Sequence, residues 1–380
     1  MSMALVPRLT FASAVLAAGV SCTPEYDITG EPVNVDPGQV TECGFTPVTG
    51  TKISEYDCNP VFSGTDEEWG YNVGGVGFHV TEVLGHPFYQ MWYTGTPQNA
   101  SGYGNIKVGY AVSGDGTNWS SHDANPLLGT EPGQWDQDVM QGQVVVWDPS
   151  FKQYVMMWGG FTVAAGNSGV GVATSPDGVE WTKNPANPVI TSDDAMASNL
   201  SMCWPLTMNR TSGGFTAYIA AIDAIDMMLG ADSCNIYTMS SIDLVNWTIN
   251  PSPIMSEPFD IFGPPPTGPD SKGVTSAAVV EYEGTLYMFY TGFTEWTVSG
   301  SVRSATNITV NLATSFDGGF TWVKDPGNPL PINLTSQGQV SSIAAQVVGS
   351  RIHLWVGDEY ADLDAQAIGY FYYEPDIADH

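Results

Sequence analysis

Ser113-Gly114-Asp115-Gly116-Thr117-Asn118-Trp119 returns as Ser175-Pro176-Asp177-Gly178-Val179-Glu180-Trp181. It returns again as Ser241-Ile242-Asp243-Leu244-Val245-Asn246-Trp247 and as Ser315-Phe316-Asp317-Gly318-Gly319-Phe320-Thr321-Trp322. Ser and Asp hydrogen-bond nearby backbone groups, Gly supplies a positive φ, and Trp buries a large face, so each run reads as a tight turn and carries no chemistry of its own. A second signature keeps step with it: Asn59-Pro60-Val61-Phe62, Asn125-Pro126-Leu127-Leu128, Asn187-Pro188-Val189-Ile190, Ser252-Pro253-Ile254-Met255 and Asn328-Pro329-Leu330-Pro331. These segments stand 66, 62, 65 and 76 residues apart.

A period this long signals stacked supersecondary units. An apolar, aromatic run precedes each turn, such as Phe88 to Tyr93 and Tyr154 to Trp158. In the second unit, Gln143 to Trp147, Tyr154 to Trp158, Gly169 to Thr174 and Val179 to Lys183 read as four antiparallel strands, the composition of a propeller blade. Their middle strands are apolar at successive positions, as a sheet covered on both faces requires. Five Asn-Pro-type segments imply five blades. The first has no strands before it, and the last unit stops at Ala367 to Tyr373, so the N-terminal strand is expected to close the ring. The fold class is therefore all-β: a five-bladed β-propeller over residues 53–376.

The N-terminus reads as an address. Arg8 and the apolar stretch Leu9 to Val20 form a signal-peptide core too short to span a bilayer, giving a leader over 1–21. Ala18-Gly19-Val20-Ser21-Cys22 resembles a lipobox, which makes Cys22 the expected lipidation site. Residues 22–52 read as an acidic, Pro- and Gly-containing tether. An exported lipoprotein at a bacterial outer membrane or cell surface is expected; a periplasmic or secreted protein is the alternative. In that oxidising setting Cys43–Cys58 and Cys203–Cys234 are the pairings that sequence proximity favours.

The chain has 380 residues, with 10 Lys+Arg against 40 Asp+Glu and a net charge of −30. That field repels nucleic acid and anionic headgroups, so no nucleic-acid partner is expected and membrane contact is expected only through the lipid. A monomer is expected.

The runs Tyr89-Gln90-Met91-Trp92-Tyr93-Thr94-Gly95, Gly109 to Trp119 and Asn187 to Ile190 resemble the five-bladed glycosidases of the arabinanase and β-xylosidase type (glycoside hydrolase family 43) and their invertase-like relatives. The resemblance covers about residues 56–375. It implies hydrolysis of a glycan by three carboxylates: an Asp at the inner-strand start of each of the first two blades, and a Glu before that of the third. The matching positions here are Tyr71 to Val76, Met140 to Val144 and Ser201 to Pro205, and none carries the expected acid.

The acids that remain on that face are numerous, with aromatics beside them, which suits a sugar's apolar ring face and hydroxyls. Asp138 and Glu295 are the expected acid/base pair, with Asp223 as modulator. Phe293 and Trp296 flank Glu295 and are expected to raise its pKa toward general-acid use. Trp69, Tyr71, Trp135, Asp136, Trp204, Phe293, Trp296, Glu359 and Tyr360 are the expected substrate contacts. No cofactor is required, although the acidic run holding Asp358, Asp362 and Asp364 offers oxygen ligands for Ca²⁺. Three functions follow: the first is an exported glycoside hydrolase-like propeller, and the second a non-catalytic carbohydrate-binding surface lipoprotein. A propeller used for protein contacts is the third.

Overall fold

The computed structural model describes residues 43–98, 106–162, 167–223, 234–255, 267–299, 302–332, 340–360 and 362–375. Cys22 and most of the expected leader and tether lie outside these. The chain divides after Cys43, and the second unit, Gly44–His380, holds the strands.

The chain first lays down β1 (Phe45–Pro47), β2 (Ile53–Tyr56) and β3 (Phe62–Ser63). Antiparallel meanders then follow one another. The first is β4 (Asn72–Val83), β5 (His86–Thr96), β6 (Lys107–Ser113), β7 (Trp119–Ser121) and β8 (Leu128–Gly129). The second is β9 (Val139–Asp148), β10 (Gln153–Thr162), β11 (Asn167–Ser175), β12 (Thr182–Lys183) and β13 (Ile190–Thr191). A six-residue helix, α1 (Ser192–Ala197), leads to β14 (Leu200–Thr211), β15 (Gly214–Asp223), β16 (Cys234–Ser241) and β17 (Thr248–Ile249). Then come β18 (Gly273–Tyr282), β19 (Thr285–Ser299), β20 (Val302–Ser315) and β21 (Val323–Lys324). The chain ends with β22 (Ser342–Val348), β23 (Arg351–Tyr360) and β24 (Ala365–Tyr373). Among the described residues the fold is all-β apart from α1.

The N-terminal strands sit where the repeat register requires. β24 pairs with β23 on one side and with β2 and β3 on the other, joining Ile53 to Tyr373 and Phe62 to Ile368. Every cis Asn-Pro segment explains the same geometry. The Asn side chain bonds the backbone of the third strand of its sheet: Asn125 to Tyr110, Asn187 to Val172 and Asn328 to Leu312. Asn59 does this to Tyr370, 311 residues away, accepting at 2.7 Å and donating at 3.1 Å.

The first strands of the meanders adjoin one another: β4 lies beside β9, β9 beside β14, β14 beside β18, β18 beside β22, and β22 beside β4. Their downstream halves line one cavity of about 950 Å³, touching Val76 to His79, Val144 to Trp147, Leu206 to Ser212, Ala277 to Glu281 and Ile343 to Val347. All these strands therefore run in the same sense, from the end where they begin to the end where this cavity opens. The core fills the gaps between sheets. Trp92, Trp158 and Trp355, one on each of three second strands, are wholly buried.

The tight turns join neighbouring sheets. Trp92 Nε1 donates to the Gly178 carbonyl at 2.7 Å, and Trp355 Nε1 to that of Gly116 at 3.3 Å. Leu244 takes the glycine's place in the third turn with φ 66°, and its side chain is buried in the apolar cluster that also holds Val155 and Met157 of the sheet before it.

Two expectations need correction. The stretch expected as tether to residue 52 contains β1, which pairs with β2. The expected Cys203–Cys234 bridge is not formed: β15 lies between β14 and β16, and Cys234 is a buried thiol, not a cystine. A disulfide cannot reach across an intervening strand. Cys43 and Cys58 are disulfide-bonded as expected.

Candidate functional site

The end at which the first strands begin is irregular in a repeated way. β-Bulges interrupt β4 between Gly74 and Gly77, β9 opposite Met157 and Gly159, β14 between Ser201 and Trp204, and β18 between Val274 and Ser276. An extra residue bends a strand and re-aims its side chains, and such bulges gather beside functional sites. Gly75 and Gly142 sit within them at φ 50° and 64°, a backbone that favours glycine.

The bulges gather polar side chains. A Cβ on Gly75 would fall 2.5 Å from Thr94 Oγ1 and 3.0 Å from Gln143 Oε1. A Cβ on Gly74 would fall 3.0 Å from Ser341 Oγ and 3.6 Å from Gln366 Oε1. On Gly357 it would meet the Ser342 and Ser341 hydroxyls. Thus β4, β9, β22, β23 and β24 bring Gln143, Ser341, Ser342 and Gln366 around three glycines. Asp358 follows Gly357 on β23 and is 1% exposed. Burial and then the charges of Asp358 and Glu55 push the Tyr360 phenol far up.

Gln143 is 2% exposed and Ser342 4%. Gln143 Oε1, Ser341 Oγ and Ser342 Oγ are buried and make no hydrogen bond. Leaving such a group unsatisfied costs about 1–3 kcal/mol each. Two amide-type acceptors and two hydroxyls can take and give hydrogen bonds with an alcohol-rich ligand. Trp204, half-buried on β14 at the same end, supplies an aromatic face.

The expected contacts fall unevenly. Asp138 is half-buried just before β9, and its N–H donates to the Phe161 carbonyl at 3.3 Å. Asp223 closes β15, half-buried, 3.5 Å from Asn199 Nδ2. Tyr71 donates to the Leu363 carbonyl at 3.2 Å, and Glu359 is exposed beside buried Tyr360.

Other expected residues are occupied within the chain. Asp136 is 1% exposed and accepts from Trp158 Nε1 at 3.1 Å and Lys183 Nζ at 3.5 Å. Trp135 stacks on Trp158 and Trp69 on Tyr93, each filling the space above glycines of the neighbouring strands. These three are structural members of their sheets.

Glu295 departs most from expectation. It lies where β19 and β20 run on past the other hairpins, paired with Thr306, and it is exposed. Phe293 is wholly buried in the core and Trp296 packs edge-on against it at 4.6 Å. The apolar enclosure expected around Glu295 is thus not built. In the expected calcium loop Asp358 is buried while Asp362 and Asp364 are exposed. Among the described residues no three His, Cys, Asp or Glu side chains gather to hold a metal.

The sequence reading missed Gln143, Ser341, Ser342 and Gln366. The available signal was glycine at strand starts, Gly74-Gly75 and Gly142-Gln143, which marks a bulge.

No family model matches the chain, and no curated protein matches it. Solved structures do. The β-1,2-mannobiose phosphorylase of Listeria innocua, in complex with β-1,2-mannobiose, superposes with TM-score 0.59 at 13% identity, over 85% of this chain and 97% of that one. A member of glycoside hydrolase family 130, described as mannoside phosphorylases that include hydrolases targeting β-1,2 mannosidic linkages in Candida mannan, gives 0.56 at 17% identity over 90% and 96%. A thermostable family-43 glycoside hydrolase gives 0.52 at 14% over 79% and 89%. At these identities the likeness is one of fold, and the resemblance carried by the repeated turns holds at that level: the chain has the fold of the β-propeller glycoside hydrolases of families 130, 43 and 32.

Proposed function

We propose that this chain is an exported, five-bladed β-propeller that binds a glycan on the face where its inner strands begin. Four antiparallel strands make each blade, and β2 and β3 complete the last one. The cyclic adjacency of β4, β9, β14, β18 and β22 supports that reading, as does the Trp355–Gly116 bond between last and first sheets. Cys22 anchors the protein to a membrane through lipid, the tether lets it stand clear, and it works as a monomer.

The observation that carries the function is that three of the buried oxygens without hydrogen bonds, Gln143 Oε1, Ser341 Oγ and Ser342 Oγ, stand at the bulged starts of the first strands. A fold keeps such groups at a cost to stability, and a ligand rich in hydroxyls satisfies them. Glycan-acting structural neighbours support the ligand class. Gln143 lies in one of the three stretches where the glycosidase pattern places carboxylates, and none of the three carries the expected acid, which favours recognition without hydrolysis.

The second reading is a glycoside hydrolase in which Asp138 activates water, Glu295 protonates the leaving oxygen and Asp223 tunes the pair. The half-buried seat of Asp138 before β9 favours it. The exposure of Glu295 does not, because a general acid at neutral pH needs a shielded carboxyl. A glycan array and an aryl-glycoside panel, with and without inorganic phosphate, separate the readings. Binding without turnover is expected. Turnover abolished by Asp138→Asn would establish the second reading, and silence in both assays would remove glycans altogether.

A further inference from the structure

The cavity of about 950 Å³ at the end opposite the glycan face is not symmetric. Every first strand contributes to its wall. Of the second strands only β15 and β19 do, through Thr216, Tyr218 and Leu286. Gly284 and Gly318, from turns beside β19 and β20, complete that side. Among the described residues, the cavity thus branches into the joint between the sheets of β15 and β19 and into no other.

A change in the fastener opens this joint. Tyr218 stands opposite Thr238, three residues before Ser241, as Trp92 stands opposite Tyr110, three before Ser113. Trp92 fills its joint and donates its indole N–H to the Gly178 carbonyl. Tyr218 reaches the facing turn too, since a Cβ on Gly319 would fall 3.1 Å from its hydroxyl oxygen. It forms no hydrogen bond there. Trp322 follows Ser315 by seven residues, where the same interval is six in the other three turns, so this turn is the longer one.

Tyr218 is 4% exposed, and its hydroxyl has no hydrogen-bond partner among the described residues. That oxygen is not among those sealed from the surface, so its unused donor opens on the cavity that Tyr218 lines. Burial pushes the phenol up to about 12, which keeps the proton in place. Around it the wall is largely apolar, with Leu206, Met208, Val279 and Leu286. Polar side chains such as Asn209 and Ser212 belong to the mouth, where β14 turns into β15. Arg210, also at the mouth, is engaged by Asp148 at 3.1 Å, while Glu281 and the chain's net charge of −30 oppose an anion.

We propose that this cavity is a second binding site, taking a neutral, mainly apolar small molecule whose carbonyl oxygen accepts a hydrogen bond from Tyr218. Its volume lies in the range of ligand pockets, and one aimed polar group within an apolar wall is how such pockets fix orientation. The site is independent of the glycan reading, because it lies at the other end of the strands.

The test uses the purified protein and the neutral fluorescent ketone 6-propionyl-2-(dimethylamino)naphthalene. Saturable binding of one dye per chain is expected. Tyr218→Phe removes a hydroxyl that bonds nothing in the protein, so the thermal transition should stay unchanged. Affinity should fall about fivefold, the value of one hydrogen bond, and the bound dye should emit further to the blue as its carbonyl loses the donor. Thr216→Trp fills the branch and should abolish saturable binding; if that variant does not fold, Tyr218→Phe decides alone. No saturable binding by the parent protein overturns the proposal, as does unchanged affinity and emission in Tyr218→Phe. Displacement of the dye by a neutral oligosaccharide also overturns it, because the cavity would then be a sugar site. The dye is read without glycan, so a failed glycan screen leaves this test intact.

Discussion

Trp92 Nε1 donates to the Gly178 carbonyl at 2.7 Å, so a side chain from the second strand of one sheet holds the tight turn of the next. Trp355 and Gly116 repeat the relationship between the last sheet and the first. The recurrent Ser-Asp-Trp turn is thus a fastener between sheets.

Removing that donor tests the fastener. Trp92→Phe keeps most of the buried ring but removes one of two donors to the Gly178 carbonyl, which still accepts from Trp181 Nε1 at 3.0 Å. A loss of about 1 kcal/mol is expected from urea unfolding, the net worth of one hydrogen bond. Trp355→Phe should behave alike, because it acts at the joint between first and last sheets.

Lys324 Nζ lies 2.7 Å from Asp270 Oδ2, which also accepts from the Tyr290 hydroxyl at 2.9 Å. Asp270 is 3% exposed. Lys324→Met leaves this buried carboxylate without its cation and should cost about 3 kcal/mol. Adding Asp270→Asn should recover most of the loss. A double-mutant cycle by chemical unfolding reads the coupling.

The turn aspartates predict the acid limb of stability. Burial pulls the Asp115 carboxyl up, but hydrogen bonds from Asn118, Thr117 and Ser113 outweigh it and hold it at about 2. The Thr321 hydroxyl and N–H hold Asp317 at about 2. Both lie below the unfolded value of about 3.9, so the unfolded chain takes up protons first. Their contribution is complete above about pH 4–5 and is lost as pH falls toward about 2. Melting temperatures from pH 5 to pH 2 should fall less steeply in Asp115→Asn/Asp317→Asn than in the parent protein.

Function and stability should part at the glycan face. Ser342→Ala removes a buried hydroxyl that has no hydrogen bond, and Gln143→Leu removes an unsatisfied carbonyl oxygen together with the Nε2 donor to the Met140 carbonyl at 3.3 Å. Ser342→Ala should leave stability unchanged or raise it by up to about 1 kcal/mol, and Gln143→Leu should change it by no more than about 1 kcal/mol in either direction. Each should weaken binding of an array-selected oligosaccharide at least tenfold by calorimetry. Equal losses of stability and binding would mark these residues as structural.

The repeat register was legible because turn chemistry is local. Ser175, Asp177, Gly178 and Trp181 bond one another within seven residues, and the Asn-Pro segments announce their strands in the same way. Even the return of Asn59 to Tyr370 could be read, since a unit lacking strands must borrow them. The site was less legible because burial is not local. Asp136 and Asp138 stand two residues apart in one acidic lead-in, yet the first is turned into the sheet against Lys183 and Trp158 while the second stays half-buried. Nor does sequence distinguish a loop from the β19–β20 hairpin that carries Glu295. Gln143, Ser341 and Ser342 gain their meaning only when three sheets bring Gln143 beside Gly75, Ser341 beside Gly74 and Gly357, and Ser342 beside Gly357.

A crystal structure of the protein with an array-selected oligosaccharide tests the central claim most directly. The account predicts the sugar against Trp204, with hydroxyls bonded to Gln143 Oε1 and to the Ser341 and Ser342 hydroxyls. Sugar bound at any other surface, with those three oxygens still unsatisfied, would contradict it.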